Sequence, residues 1–261
     1  MVLKNRGIFE TLARIGVATK EAQILYANGT RDVESLKVYK DLNTGVIYID
    51  DFYTGEETNT SGAYRLDGAD SVPDYERKVD ADRRIDTHSQ FYAGKDILDF
   101  GCGAGDFLKL AQPYCNSVVG VELQSDYITE LKSYGIKCLR TLDEIEDESL
   151  DVIFSFHVIE HLEYPIDVLN LMRRKLRTGG KVVIEVPHAN DLLLGVCHSK
   201  EFQKFTLWSQ HLVLHARESL RRLLSYCEYE QAIVEGCQRY PLSNHLFWLA
   251  EGLPGGHKSI L

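Results

Sequence analysis

The sequence predicts an α/β protein with a mostly parallel sheet. Residues 96–104 read DILDFGCGA, an apolar strand that ends in closely spaced glycines, and a helix-forming run, FLKLA, follows it. Further apolar strands at 117–121, 150–156 and 181–187 are separated by stretches long enough for helices. Strands that alternate with helices are typical of βαβ units and a parallel sheet.

The turn after the first of these strands has the composition of a ligand-binding loop. Gly101, Gly103 and Gly105 alternate with single residues just before a helix. Bare backbone N–H groups beside a helix N-terminus suit a nucleotide-like ligand. A dinucleotide fingerprint, G-x-G-x-x-G, would need a third glycine where the chain has Asp106. Glu122 ends the next strand, where a carboxylate can accept hydrogen bonds from both ribose hydroxyls of an adenosine.

The G-x-G-x-G turn resembles motif I of the class I S-adenosylmethionine-dependent methyltransferases. The run LDVIFSFHVIEHL at 150–162 resembles the fourth strand and following loop of small-molecule members of that family. A helix at 165–177, a Thr-Gly-Gly turn and the strand ending at Pro187 follow in the family's order. The resemblance covers roughly residues 83–237. It implies a Rossmann-like, seven-stranded, mostly parallel sheet with helices on both faces.

The resemblance implies S-adenosylmethionine as the cofactor and S-adenosylhomocysteine as the product. Asp99 would order the loop or meet the methionine amino group, and His157 would shape the methionine pocket through its backbone. Leu142 and Asp143 stand where the family contacts adenine, although Asp143 could equally be a solvated acid. Arg65 lies in a segment that in relatives folds over the cofactor as a lid, where it could pair with the methionine carboxylate. The expected cofactor-binding residues are Tyr64, Arg65, Asp99, Gly101, Cys102, Gly103, Gly105, Phe107, Glu122, Leu123, Leu142, Asp143 and His157.

Three histidines are candidates for the catalytic base. Methyl transfer from a sulfonium is an in-line displacement, so the protein must position the two reactants. A hydroxyl acceptor needs a general base, for which histidine is suited near neutral pH, whereas a phosphate or carboxylate oxygen needs none. By the family's order His161 follows the fourth strand, His188 follows the fifth, and His211 lies in the later WSQHLVLH segment. Loop packing or helix capping is the alternative role for each.

Composition favours a small-molecule acceptor over a nucleic acid. The formal net charge is −10, and nucleic-acid binding depends on Lys and Arg at phosphates. Residues 171–261 nevertheless carry 12 basic and 8 acidic side chains. That excess would suit an anionic substrate, although the basic residues at 173–177 could equally be the solvated face of a helix. The six cysteines form no C-x-x-C pair, so we interpret them as reduced thiols and expect no metal.

The acceptor class stays open at this point. The C-terminal run YPLSNHLFW at 240–248, with PGGHK at 254–258, resembles methyltransferases of bacterial surface-polysaccharide biosynthesis. That resemblance implies an oxygen of a sugar, nucleotide-sugar or phosphorylated metabolite. Quinone-type and other metabolite O- or N-methyltransferases share the same core motifs. An NAD-dependent Rossmann oxidoreductase is the alternative from another class, and Asp106 counts against it. A non-catalytic member of the fold is a third.

The residues before the glycine turn predict an appendage. Ile8, Leu12 and Ile15 have helical spacing, and 36–39 and 46–49 alternate around a glycine-bearing turn, which predicts a β-hairpin. The aromatic segment that follows could cover the site or form a homodimer contact. We therefore expect an N-terminal helix and β-hairpin ahead of the sheet.

We expect two parts in the chain. The first, 1–80, would hold the N-terminal helix, the hairpin and the lid segment. The second, 81–261, would be the catalytic domain, with an insertion near 188–215 and two closing antiparallel strands near 231–235 and 244–250. No run approaches the roughly 20 apolar residues needed to span a bilayer, and the N-terminus does not read as a secretory signal. These features predict a cytoplasmic protein without a membrane partner.

Overall fold

A computed structural model of the chain describes residues 7–50 and 74–255. The predicted lid, with Tyr64 and Arg65, lies outside the described residues, so its role stays a prediction. Within the described ranges, no helix is both long and apolar enough to cross a membrane. The main elements, in chain order, are α1 (Ile8–Arg14), β1 (Gln23–Gly29), β2 (Glu34–Asp41), β3 (Ile47–Ile49), α2 (Asp74–Tyr92), β4 (Asp96–Phe100), α3 (Asp106–Ala111), β5 (Ser117–Val121), α4 (Ser125–Ser133), β6 (Lys137–Leu139), β7 (Leu150–Phe156), α5 (Pro165–Lys175), β8 (Leu176–Glu185), α6 (Lys200–Thr206), β9 (Val213–Leu214), α7 (Arg217–Tyr226) and α8 (Leu242–Glu251).

The chain forms two compact units. The first comprises the described residues of Met1–Tyr53, Glu160–Glu163 and Val186–Leu261, and the second those of Thr54–Ile159 and Tyr164–Glu185. Each unit therefore collects segments that are distant in the sequence.

This division differs from the predicted one at residue 80. The hairpin strand β3 pairs with β9, where Ile47 lies opposite Leu214 and Tyr48 opposite Val213. β9 belongs to the region predicted as an insertion of the catalytic domain. The N-terminal appendage and that region thus share one sheet, a long-range pairing that no local pattern in either segment indicates.

The second unit is built on a parallel sheet with strand order β6-β5-β4-β7-β8. Every neighbouring pair in it is parallel, which confirms the α/β prediction. Five strands are present in the described residues where seven were expected. Strands β4, β5 and β6 extend in one direction and β7 returns to the other side of β4. Ligands of such sheets bind outside the carboxyl ends of the strands at this switch point.

The two central strands of this sheet supply the core. Ile97 and Leu98 of β4 and Ile153 and Phe154 of β7 are all 0% exposed. From α3, the ring of Phe107 packs against that of Phe154 with 4.8 Å between centroids. Continuous apolar strands are expected in a parallel sheet that is covered on both faces. Burial of each such side chain contributes about 1.5–3 kcal/mol.

The first unit contains an antiparallel sheet with strand order β1-β2-β3-β9. Strands β2 and β3 form the predicted hairpin, with Val38 opposite Ile49. Asp41 holds its turn, because Oδ1 accepts hydrogen bonds from the backbone N–H groups of Asn43 and Thr44, both at 2.9 Å. The predicted N-terminal helix is α1.

The two closing strands were predicted wrongly. Residues 231–235 form neither helix nor strand, and 244–250 lie inside α8. Trp248 is 4% exposed, and its ring centroid lies 5.2 Å from that of Phe202 in α6. The buried residues of this helix, Asn244, His245 and Trp248, follow a helical spacing, whereas Leu246 and Leu249 are exposed. The short apolar run was therefore misread as a strand.

The predicted Thr-Gly-Gly turn at 178–180 lies within β8. Leu150 pairs with Leu176, but Val152 already pairs with Lys181, so the register shifts there. Gly179 takes φ 80°, in the left-handed region that glycine adopts without strain. The segment is therefore an irregularity in a longer strand that begins directly after α5.

Candidate functional site

The three glycines after β4 have different reasons to be glycine. All take left-handed φ angles, 75° at Gly101, 54° at Gly103 and 71° at Gly105. A Cβ at Gly101 would overlap Val158, and one at Gly105 would overlap Leu131. A Cβ at Gly103 would meet no described atom within 4 Å. Packing therefore requires the outer two glycines, whereas the middle one lines open space beside the loop.

Glu122 follows β5 and points its carboxylate at this loop. Its Oε2 accepts a hydrogen bond from the Gly103 N–H at 2.8 Å. Its Oε1 accepts from the N–H groups of Leu123 and Gln124 at 2.8 and 2.9 Å. A carboxylate offers about four lone-pair positions. The three donors fix the orientation of Glu122 and leave about one position for a ligand hydroxyl, fewer than the two that the sequence predicted.

Asp99 is buried in β4 at 4% exposure. Burial raises the pKa of its carboxyl to about 7, against the opposing attraction of the Arg84 guanidinium. Among the described residues, no group forms a hydrogen bond with Oδ1. Buried polar atoms nearly always have a partner. Oδ1 is therefore an acceptor suited to an N–H donor from a ligand, such as the amino group that the sequence predicted.

His157 directly follows β7, next to β4 in the sheet. Its φ of 57° lies in the left-handed region, which is uncommon for a residue other than glycine. Its backbone N–H donates to the Glu185 carbonyl at 2.9 Å. Such backbone strain, about 1–3 kcal/mol, concentrates at functional sites. The role predicted for the His157 backbone in the methionine pocket stays a prediction.

The remaining predicted cofactor residues differ in exposure. Leu142 is buried at the start of a short 3₁₀ turn, whereas Asp143 and Leu123 are exposed. Phe107 is 3% exposed within the aromatic core, so its placement indicates packing of α3. The Sγ of Cys102 lies 4.0 Å from a second thiol on β6. That hydrogen bond, together with burial, raises the pKa of Cys102 and keeps it a protonated packing residue.

An ion-pair network at the end of β8 was not predicted. Arg83 donates to both carboxylate oxygens of Glu185 at 2.9 Å, and Arg84 Nε donates to Oε2 at 3.1 Å. Burial alone would raise the pKa of Glu185, but His88 and the two arginines lower it overall. Arg84 also lies over the Phe156 ring, 4.2 Å from its centroid. The only signal in the sequence was an Arg-Arg pair with a histidine one helical turn later.

Two of the three predicted histidines come together in the first unit, and a glutamate joins them. One ligand-capable atom each of Glu160, His161 and His211 lies within 4.8 Å of the other two. His161 Nδ1 lies 2.7 Å from the Gln210 carbonyl, and His211 Nδ1 lies 3.1 Å from the Thr206 carbonyl. Since a carbonyl can only accept, each Nδ1 carries the proton, and each neutral ring keeps its lone pair on Nε2. We call Glu160, His161 and His211 the histidine cluster.

Burial sets the ionisation of this cluster. It lowers the pKa of His161 to about 4, against the hydrogen bond to Gln210. Burial, and then the neighbouring His161, lower the pKa of His211 to about 3. Burial raises the pKa of Glu160 to about 8. All three groups are therefore neutral at pH 7, and the 3.8 Å between Glu160 Oε1 and His161 Nε2 is not an ion pair.

His188 does not belong to the histidine cluster. Its side chain is exposed, and its backbone forms an isolated parallel bridge with His215. Although the residue is exposed overall, partial burial of its ring and the positive charge of Arg217 lower its pKa. His188 therefore does not join His161 and His211 in the described part of the structure.

Two basic residues, one at the end of α5 and one just after it, form ion pairs with carboxylates. Lys175 donates to Asp147 at 2.7 Å and to the Ile145 carbonyl at 2.7 Å. Arg177 forms ion pairs with Asp96 at 2.8 Å and Asp151 at 3.1 Å. Both cations are thus engaged with carboxylates, Arg177 at the amino ends of β4 and β7, so they do not support the hypothesis of an anionic substrate.

Comparison with known proteins gives the family. Residues 74–231, more than half of the chain, match a family model described as a methyltransferase domain. The chain therefore belongs to the methyltransferase domain family, which confirms the predicted resemblance. S-adenosylmethionine is the cofactor of that family, and the nicotinamide alternative is wrong.

Individual relatives cover only part of the chain. A tRNA U34 carboxymethyltransferase of Shewanella loihica is 30% identical over 118 residues, 39% of this chain and 34% of that protein. A ubiquinone biosynthesis O-methyltransferase of Idiomarina loihiensis is 24% identical over 124 residues, 43% of this chain and 51% of that protein. The chain thus spans about a third to a half of the length of these relatives. A solved SAM-dependent methyltransferase from Archaeoglobus fulgidus superposes with a TM-score of 0.51 at 24% identity, over 62% of this chain and 74% of that one, and shows the same fold.

The residues present fit S-adenosylmethionine. The space beside Gly103 gives a ligand access to the backbone of the loop. Asp99 Oδ1 offers a buried acceptor for an ammonium group, and Glu122 offers one for a ribose hydroxyl.

Proposed function

We propose that the protein transfers a methyl group from S-adenosylmethionine to an oxygen of a small molecule. The expected acceptors are sugars, nucleotide-sugars and phosphorylated metabolites. When bound, the cofactor supplies an electrophilic methyl group on its sulfonium. The acceptor hydroxyl loses its proton as its oxygen bonds to the methyl carbon, and S-adenosylhomocysteine is the second product. The residues of the chain must bind both reactants, orient them and take up the proton.

The second unit supplies the cofactor contacts in this proposal. Asp99 would accept from the methionine amino group, and the backbone at His157 would line the methionine pocket. Glu122 would accept a hydrogen bond from one ribose hydroxyl. If both hydroxyls bind, the second would replace the Gly103 N–H as a donor to the Glu122 carboxylate. Leu142 would contact the adenine. Support comes from the buried Oδ1 of Asp99 and the fixed carboxylate of Glu122.

The histidine cluster carries the assignment to an oxygen acceptor. A hydroxyl needs a base whose lone pair is available at neutral pH. His161 and His211 both direct Nδ1–H to backbone carbonyls, so Nε2 is unprotonated at pH 7 and can accept a hydrogen bond from a hydroxyl. An amine acceptor that is already neutral would not need this pair. We therefore propose that the acceptor hydroxyl loses its proton at the cluster.

Relatives with other acceptors define the alternatives. One similar protein is named for tRNA and another for ubiquinone biosynthesis. The net charge of −10 opposes tRNA, because binding of a nucleic acid depends on release of counterions by Lys and Arg. Lys175 and Arg177 form ion pairs with carboxylates, which further reduces the positive charge that could bind a nucleic acid. A quinol hydroxyl fits the same base and is the stronger rival.

A competition between three acceptor pools tests the proposal. The full chain is incubated with S-adenosylmethionine and with phosphosugars plus nucleotide-sugars, with quinols, or with bulk tRNA, and mass spectrometry detects the gain of one methyl group. We expect methylation in the first pool. His211→Asn keeps a donor for the Thr206 carbonyl but removes Nε2, and it should lower the rate of transfer about 10²–10⁴-fold. His198→Asn, at an exposed histidine outside the cluster, should leave the rate unchanged.

Two results would overturn this assignment. Methylation of tRNA alone would contradict the small-molecule acceptor. A His211→Asn variant that transfers methyl groups at the normal rate would show that the cluster takes no part in deprotonation.

A further inference from the structure

We propose that Glu160, His161 and His211 form a binding site for a divalent transition-metal ion, with Zn²⁺ as the best match. The inference rests on the proposed function in one respect, since such an ion would bind the acceptor oxygen. The first supporting observation is that lone pairs of the three side chains lie close together. One ligand-capable atom of each residue lies within 4.8 Å of the others, and Glu160 Oε1 lies 3.8 Å from His161 Nε2.

The outer nitrogens are already bound in the way that metal-ligating histidines require. His161 Nδ1–H donates to the Gln210 carbonyl at 2.7 Å, and His211 Nδ1–H donates to the Thr206 carbonyl at 3.1 Å. A metal-bound histidine almost always donates its second ring N–H to a carbonyl or carboxylate, which fixes the tautomer. Both rings are therefore held with Nε2 as the ligand atom.

The spacing needs only a small closure. Ligands on a tetrahedral zinc at 2.0–2.1 Å lie roughly 3.3 Å from one another. The 3.8 Å between Glu160 and His161 is close to this value. Trp208 packs edge-on against both imidazoles, with centroid distances of 5.8 Å to His161 and 5.2 Å to His211. This packing limits the rotamers of the two rings and leaves a short movement to reach coordination distance.

The donor set selects the class of metal. Two imidazoles and one carboxylate suit Zn²⁺, Fe²⁺ or Co²⁺, whereas Mg²⁺ and Ca²⁺ prefer oxygen ligands throughout. Three protein ligands also leave a fourth position open, as in catalytic zinc sites. The side chain of Glu160 is 1% exposed and that of His161 is 24% exposed. His161 thus keeps some contact with solvent, and an ion at the cluster would acidify the proton of an acceptor oxygen that binds to it.

No sequence pattern indicates this site. His161 and His211 are 50 positions apart and belong to no metal-ligand spacing pattern. Glu160 was seen only as part of the Glu-His pair that marks the family. The predicted absence of a metal rested on the cysteines, and the cluster contains none.

The test measures metal binding without reference to catalysis. The untagged full chain is stripped with a chelator and dialysed against Zn²⁺, Co²⁺ or Mg²⁺, and bound metal is counted by elemental analysis. We expect one equivalent of Zn²⁺ or Co²⁺ and no bound Mg²⁺. The Co²⁺ form should show visible ligand-field bands of a four- or five-coordinate ion. It should lack the sulfur-to-cobalt charge-transfer band that a cysteine ligand would add.

Matched variants locate the ion. His211→Asn and His161→Asn keep a donor for the backbone carbonyl and remove Nε2, and Glu160→Gln removes the carboxyl group that would ionise when the metal binds. Each should weaken Zn²⁺ binding at least 10–100-fold, the range seen for loss of outer-shell partners alone. His198→Asn should bind as the unmodified chain does. Retained binding of S-adenosylhomocysteine by each variant checks that the protein is folded.

The outcomes separate this inference from the proposed function. A chain that binds no Zn²⁺, or variants that bind it unchanged, would overturn the metal site. If those variants still lose methyl transfer, the cluster acts as a protein base and the proposed function stands. If Zn²⁺ binds at the cluster and its removal stops transfer to the acceptor, both are supported.

Discussion

The glycine loop and the histidine cluster are positioned by different parts of the polypeptide. The loop is positioned by its backbone conformation, because its three glycines take left-handed φ angles. Val158 and Leu131 also lie too close for side chains at Gly101 and Gly105. In the cluster, side chains from two distant segments converge and are held by backbone carbonyls. A change in the loop should therefore act through sterics, and a change in the cluster through protons or charge.

The largest effect is expected at Gly103. A leucine there would fill the space beside the loop, and we expect affinity for S-adenosylhomocysteine to fall at least about 100-fold, or about 2.7 kcal/mol. Gly94→Leu is the matched control, because Gly94 also has a positive φ, 66°, and open space at its Cβ. Calorimetric titration of both variants measures the difference. Equal losses in the two would show that backbone strain, and not the loop's position, is responsible.

The second effect is acid sensitivity of the buried histidines. Burial lowers the pKa of His215, which is 3% exposed, to about 4. A histidine that must stay neutral contributes stability above its unfolded pKa, near 6.5, and loses it as pH falls toward the folded pKa. Between pH 7 and 5 this amounts to about 2 kcal/mol of unfolding free energy.

Chemical denaturation across that pH range provides the measurement. His215→Asn should flatten the pH dependence by about the stated amount, although His161 and His211 still contribute a similar trend. An unchanged slope would mean that His215 is solvated or charged in the folded protein.

The third effect is a pH dependence of cofactor binding that arises from Asp99. With a pKa of about 7, the carboxyl is mostly protonated at pH 6 and mostly ionised at pH 8. An ionised Asp99 should hold the ligand's ammonium group more strongly, so affinity for S-adenosylhomocysteine should rise up to about tenfold over this range. Titrations at several pH values check this. In Asp99→Asn the curve should be flat, and a rise that persists would assign the effect to another group.

The smallest effect is expected at Arg177. Its side chain is 43% exposed and pairs with Asp96 and Asp151, and exposed ion pairs contribute about 0–1 kcal/mol each. Arg177→Ala should lower the unfolding free energy by no more than about 1–2 kcal/mol and leave methyl transfer unaltered. A large loss of transfer would restore Arg177 as a contact for an anionic acceptor.

The parts of the fold that were predicted depend on local chemistry. The strand ending at Gly101 and the loop glycines follow from hydrophobic continuity and from backbone sterics, which the sequence displays within ten residues. Glu122 was found because it ends the following strand. In contrast, the pairing of Ile47 with Leu214 joins residues that no short pattern connects.

The wrong predictions also concern features that depend on contacts between distant segments. The residues of α8 were read as a strand because a short apolar run satisfies both periods until its burial is known. The contact between His161 and His211 depends on where two loops fold, so the sequence could nominate each histidine but not their proximity to Glu160. His188 had an equally good claim by position and proved to be exposed.

Cofactor binding at the glycine loop is tested most directly by a thermal and calorimetric comparison of two ligands. If the loop at Gly101–Gly105 binds S-adenosylmethionine, then S-adenosylhomocysteine at 100 times its dissociation constant should stabilise the protein by about 2.7 kcal/mol, and NAD should not stabilise it. Stabilisation by NAD alone, or by neither ligand, would contradict the assignment of this loop.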